Sequence, residues 1–190
     1  MKPKDPEKEQ VIYSATLQLV RQNGLTGLTM AELSKVAKLG MGTIYVYFKS
    51  KEELINSLFK RLKRLNTSRI YASLDEKAPF AICLQQLYEN YLRNRVRFYE
   101  EHFFIEQCVH SHFLDQEAVQ LDLSAFQNLH ELLNRGKTEL LVKNIQNELL
   151  IAHLMGSANE IANLALKSGQ ELSQTWIDQA FVLCWDSIRR

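Results

Sequence analysis

Turn-forming residues are scarce in this chain: seven glycines and three prolines in 190 residues. So few turns exclude a loop-rich or many-stranded fold and leave long helices, so the sequence predicts an all-α protein. Cysteine is nearly as sparse. Cys83, Cys108 and Cys184 are odd in number, far apart and without CxxC spacing, which argues against a disulfide framework or a zinc ribbon and for free thiols in a reducing compartment. No apolar run is expected to approach the roughly 18 residues needed to span a bilayer, and the opening MKPKDPEKEQ has no apolar core of signal-peptide length. A cytoplasmic protein without a membrane segment is the expectation. No motif sets a nucleophile beside a base and no glycine-rich loop could cradle phosphate, so neither enzymatic activity nor a cofactor is expected.

Net charge is also small, +1 overall, but it is unevenly spread. Residues 1–70 hold 13 Lys and Arg against 6 Asp and Glu, and the remainder holds 10 against 16. A basic first part joined to an acidic remainder fits a domain that meets phosphates attached to one that does not. A solvated basic helix, Lys60-Arg61-Leu62-Lys63-Arg64, accounts for part of that charge without any partner.

The most informative stretch is residues 29–54, TMAELSKVAKLGMGTIYVYFKSKEEL. Thr29 and Glu32 have capping-box spacing, in which a hydroxyl and a carboxylate satisfy backbone N–H groups at a helix start. Leu33, Val36 and Ala37 then form one inward face. Gly40 and Gly42 interrupt it, Thr43-Ile44-Tyr45-Val46-Tyr47-Phe48 forms a second short helix, and Ser50 with Glu53 opens a third. Two short helices around a tight turn are the layout of a helix-turn-helix. A helix this short buries little by itself, so Thr43, Tyr45 and Tyr47 beside Lys49 and Lys51 read as surface for a partner.

This segment resembles the DNA-binding domain of the tetracycline-repressor (TetR) family, through Thr29, Ala37, Gly42, Thr43, Tyr45, Tyr47, Phe48, Ser50, Lys51 and Leu54. Three positions depart from the family pattern: Lys38 stands where the turn glycine is usual, Gly40 replaces a capping serine, and Met41 occupies an often polar or basic position. The resemblance implies a homodimeric, ligand-responsive transcription regulator, a repressor that binds a palindromic double-stranded DNA operator and is released by a small apolar or amphipathic molecule. It assigns Met41, Gly42, Thr43 and Tyr45 to the base-facing surface and Thr29, Tyr47 and Lys51 to phosphates. Glycine at position 42 lets backbone approach DNA closely.

Apolar periodicity organises the rest. Val11, Ile12, Ala15, Leu19 and Val20 predict a first helix ending at Asn23-Gly24, and Leu54, Leu58, Leu62 and Leu65 a long helix reaching Leu74. A helix from Phe80 is expected to run on into the aromatic segment 98–113, and another to span 115–135 and stop at Gly136. The domains are placed at 1–50, helix-turn-helix, and 51–190, helical ligand-binding and dimerisation domain. The last two helices, 149–168 and 173–188, are apolar nearly all round. Ala152, Gly156, Ala158, Ala162 and Ala165 with Trp176, Phe181 and Trp185 therefore predict a two-fold four-helix interface between copies.

Phe59, Tyr88, Tyr91 and Phe104, with His153, Ser157 and Glu160 on a neighbouring helix, are the candidates for a ligand cavity in the second domain. Glu160, if buried, would ask for a cationic or hydrogen-bonding ligand. A rival reading makes the chain a helical metal-binding or enzymatic bundle, because His102, Glu106 and His110 recur every four residues along one helix line. No further ligand completes that set, and no metal is expected.

Overall fold

The structure, a computed structural model, describes residues 5–190. Among the described residues ten helices follow in order: α1 (Pro6–Gly27), α2 (Met30–Ala37), α3 (Met41–Tyr47), α4 (Lys51–Ile70), α5 (Phe80–Arg97), α6 (Tyr99–Val109), α7 (Gln116–Ser124), α8 (Gln127–Thr138), α9 (Asn147–Ser168) and α10 (Gln174–Ile188). Among the described residues no strand forms, and one isolated antiparallel bridge joins Val142 to Arg189. The fold is all-α.

Among the described residues the chain divides into two compact units. The first comprises residues 1–64 and 100–122, the second residues 65–99 and 123–190. One uninterrupted helix, α4, runs from the first unit into the second, and the chain returns to the first unit at α6. Nothing in local sequence marks that return.

In the first unit, Ile12, Leu19 and Val20 of α1, Leu33 of α2, Ile44 of α3 and Leu54, Ile55, Leu58 and Phe59 of α4 share one core, completed by Phe104 and Cys108 of α6. Burial pushes the Cys108 thiol up to about 12, so it packs as a neutral apolar group. Asn56 of α4 donates to the Phe113 carbonyl (2.8 Å) and accepts from the Asp115 N–H (2.8 Å). Lys60 pairs with Glu117 (2.6 Å) and Asp115 (3.1 Å). These contacts hold the α6–α7 segment along α4 within this unit.

In the second unit α5 and α9 pack along each other, with α8 and α10 beside them. Phe80, Leu84, Leu87, Tyr88 and Leu92 meet Leu150, Leu154, Ala158 and Ala162, while Phe181 stacks on Trp185 at 6.3 Å. The end of α4 is fixed by polar contacts. Asn94 donates to Asn66 (2.9 Å), Arg69 lies 3.6 Å over the Phe98 ring, and Asn90 takes the Ile70 carbonyl (2.9 Å). That last bond ends α4 at Ile70, short of the expected Leu74.

Four further expectations change. The helix starting at Phe80 breaks at Phe98, whose backbone (φ −114°, ψ 42°) leaves the helical range, so α5 and α6 are separate. The span 115–135 is two helices, α7 and α8, belonging largely to different units. Gly136 lies inside α8 rather than after it. A Cβ there would sit 2.5 Å from the Phe80 ring and 2.9 Å from Val142, so the glycine serves close packing. Finally, α9 is long and apolar enough in composition to cross a membrane, contrary to the expected absence of such a stretch. In this structure its Leu150, Ile151, Leu154, Ala158, Ala162 and Ala165 are buried.

The closing glycine of α9, Gly169, adopts the left-handed conformation (φ 65°) that its position demands. Lys38 does the same without being glycine. It caps α2 at φ 52°, ψ 37°, where a side chain costs about 1 kcal/mol or more. Lys38→Gly is therefore expected to raise the stability of the protein by about 1 kcal/mol in urea unfolding; an unchanged or lower midpoint would mean that Lys38 makes a compensating contact.

Candidate nucleic-acid interface

Side chains cap both ends of α2 and the start of α4, while α3 starts at Gly40 without a side-chain cap. The Thr29 hydroxyl accepts the Glu32 N–H at 3.2 Å, the first half of the anticipated capping box, and the Glu32 carboxylate accepts from that hydroxyl at 3.4 Å. Ser34 closes the turn after α2 by donating to the Leu39 carbonyl (2.6 Å). At α4, Ser50 accepts the Glu53 N–H (3.2 Å), while the Glu53 carboxylate takes the Lys49 N–H (2.7 Å), one residue earlier than a standard box.

Between these caps α3 presents two unlike sides. Ile44 and Tyr47 are buried, which seats the helix on the core. Met41, Gly42, Tyr45 and Val46 are exposed, and Thr43 is half-buried. Neither Gly40 nor Gly42 has a positive φ, and a Cβ at either position would meet nothing within 4 Å. The fold itself does not need these glycines. Glycine inside a helix costs about 1 kcal/mol relative to alanine, so its presence at position 42 answers to something outside the unit.

Tyr47 is one of the residues expected to hold phosphate. Its ring is buried, and its hydroxyl accepts from the Asp5 N–H (2.8 Å) and donates to the Asp5 carbonyl (3.2 Å), tying α3 to the start of α1. Lys51 keeps a basic head at the first turn of α4. Its Nζ reaches the Thr26 carbonyl (3.3 Å) and sits 5.0 Å from the Phe113 ring centre, and burial lowers its pKa from the ordinary lysine value. Lys35, Lys38 and Lys49 are exposed around the same helices. Exposed lysines and the exposed apolar side chains of α3 thus occur together in the helix-turn-helix.

The candidate ligand residues do not share one cavity wall. Phe59 and Phe104 are completely buried in the core of the first unit. Tyr88 and Ser157, in the second unit, do come together: their hydroxyls are 3.4 Å apart, and burial raises the Tyr88 pKa. Tyr91 donates to Asn159 (2.8 Å). His153 and Glu160 are exposed, His153 bonded to Ser187 and Glu160 accepting from Asn163 (3.4 Å), so Glu160 is not the buried charge that would require a ligand.

A pocket of about 260 Å³ lies elsewhere in the second unit, lined by Tyr71, Leu74, Cys83, Leu132, Arg135 and polar residues at its rim. Arg135 organises it, donating to the carbonyls of Glu76 and Ala78 (both 2.8 Å) and to Glu139 (2.7 Å). Burial pushes the Tyr71 phenol up to about 12. Sequence reading missed this pocket because its lining comes from three separated segments with no common periodicity. The rival metal line fares no better than the cavity: among the described residues no three His, Cys, Asp or Glu side chains converge to hold a metal ion.

Comparison with known proteins fits this geometry. Residues 12–58 match the family described as bacterial regulatory proteins, tetR family, and residues 84–189 match the tetracyclin repressor-like C-terminal domain. An HTH-type transcriptional regulator of Haemophilus influenzae is 37% identical over 79 residues, 42% of each chain. The fatty acid metabolism regulator protein of Bacillus subtilis is 36% identical over 78 residues, 41% of this chain and 40% of that one. The matched stretches thus span about two fifths of the length of these curated relatives. Among solved structures, a TetR family transcription regulator from Marinobacter aquaeolei superposes with a TM-score of 0.88 at 22% identity, covering 100% of this chain and 99% of the other. That likeness concerns the fold. With one matched domain at the helix-turn-helix and a second covering more than half of its length, the chain belongs to the TetR family of DNA-binding transcriptional regulators.

Proposed function

We propose that the protein is a cytoplasmic repressor that binds a palindromic operator as a homodimer and leaves it when a small apolar or amphipathic molecule binds the second unit. The observation that carries the DNA reading is the exposed outer side of α3, with two glycines that the fold does not require, set among exposed lysines. Met41, Gly42, Thr43 and Tyr45 face base edges, and Thr29 and Lys51 hold phosphates. Tyr47 acts from inside, fixing α3 against α1.

Dimerisation is supported by α9 and α10. Leu149, Leu164, Val182 and Leu183 are exposed there, apolar surface that a second copy would cover. An effector site is supported by the pocket beside Tyr71 and Leu74, the residues that follow α4, because α4 begins next to the reader and ends in the second unit. Solved relatives point to amphipathic effectors: the FadR regulator of Bacillus subtilis, with a TM-score of 0.71 at 20% identity over 92% of this chain and 96% of that one, was solved in complex with stearoyl-CoA. An effector acts only through its preference for the state that does not bind DNA, worth about 1–3 kcal/mol in ordinary switches.

The test is titration of duplex DNA flanking the protein's own gene over a salt series. Lys51→Ala is expected to weaken specific and non-specific duplexes alike and to reduce the log–log salt slope by about one unit. An unchanged slope would remove Lys51 from the phosphate contacts, and no binding even at low salt would refute the DNA reading.

A further inference from the structure

The outer side of α3 carries an unusual message for a base reader. From Met41 to Tyr47 the helix contains no arginine, lysine, asparagine, glutamine, aspartate or glutamate. Those are the side chains that read guanine, adenine and cytosine by paired hydrogen bonds in the major groove. What α3 offers is apolar. Val46 is 66% exposed, Tyr45 47% and Met41 39%, with the Thr43 methyl and hydroxyl beside them.

Val46 is the most exposed of these and the least explained by the fold. A β-branched residue is a mediocre helix former, and leaving it in water gains nothing for the free protein. In the major groove the apolar group available to such a side chain is the thymine 5-methyl. Gly42, which lacks a side chain and has open space above it, allows the helix to come close enough for short apolar side chains to reach the base edges.

We infer that this protein reads its operator chiefly through thymine methyl groups, with Val46 as a specificity-determining residue alongside Met41 and Thr43, and that its half-site is accordingly thymine-rich on the face turned to α3. Paired hydrogen bonds to guanine or adenine are not available from α3, whose hydrogen-bonding groups are the Thr43 and Tyr45 hydroxyls, and the exposed lysines at positions 35, 38 and 49 serve phosphates. This inference rests on the DNA-binding reading above and adds the chemistry of its target.

The experiment starts from a duplex recovered by selection from random DNA, remade with deoxyuridine in place of thymidine at each half-site position in turn. Uracil keeps every hydrogen-bonding group of thymine and lacks only the methyl. At contacted positions the wild-type protein is expected to lose about fourfold in affinity per methyl, the worth of one buried methylene. Val46→Ala should lose a similar factor on the thymine duplex and become nearly indifferent to uracil at one position, while its thermal midpoint stays within a degree or two, because the side chain packs against little. Equal wild-type affinity for thymine and uracil duplexes would overturn the inference and leave the DNA-binding reading standing. A Val46→Ala variant that still discriminates at every position would overturn the assignment of Val46. Failure to recover any duplex would sink the DNA-binding reading and this inference with it.

Discussion

Leu183→Glu combined with Leu164→Glu should convert the protein into a folded monomer that has lost at least about a hundredfold in operator affinity. Both leucines are largely exposed in the single chain, Leu183 at 74%, so charges placed there cost the protomer little. In a dimer the same charges would be buried opposite their own copies, where unpaired like charges cost several kcal/mol. Loss of affinity follows because two linked readers bind two half-sites far more tightly than either binds one. Sedimentation of the double variant, with circular dichroism to verify helix content, decides the matter. A variant that sediments as a dimer at low concentration would place the interface away from α9 and α10.

The opposite outcome is expected two residues from Leu164. Ala162 is 0% exposed inside the core of the second unit, so Ala162→Arg should strongly destabilise the protein rather than dissociate it. An unpaired guanidinium forced into that core costs about 3–5 kcal/mol, against a total stability of about 5–15 for an ordinary domain. Urea unfolding followed by circular dichroism should show a collapsed or much lowered midpoint. A midpoint close to that of the parent would mean that α9 turns a different face inward.

These two neighbours also show where sequence reading stops. Small residues along α9 looked like a close-approach surface between copies, and Ala158, Ala162 and Ala165 do permit close approach, but within the protomer. A helix with two apolar faces does not say which one its own chain covers. The three-helix reader was legible because it is local: caps at Thr29 and Ser50 and the inward spacing of Leu33 and Ala37 depend on residues a few positions apart. Phe59 and Phe104 looked like cavity walls because aromatic density was the only guide, whereas their burial depends on the return of α6 to the first unit, a long-range event. The breaks at Phe98 and between α7 and α8 carry no proline or glycine, so local composition gave no sign of them. Tyr47 lies within the motif, but its pairing with the Asp5 backbone spans 42 residues, beyond any local pattern.

The central claim is that the outer side of α3 recognises a particular DNA sequence in two copies. Selection of random duplex DNA by the wild-type protein at about 50 mM salt tests it most directly, since binding is strong enough there to recover duplexes while phosphate contacts carry no sequence information. The predicted result is an enriched, near-palindromic site with thymine-rich half-sites whose centres lie about 34–36 Å, or a multiple of that, apart along the helix. Binding to the pool with no sequence enriched after repeated rounds would contradict it.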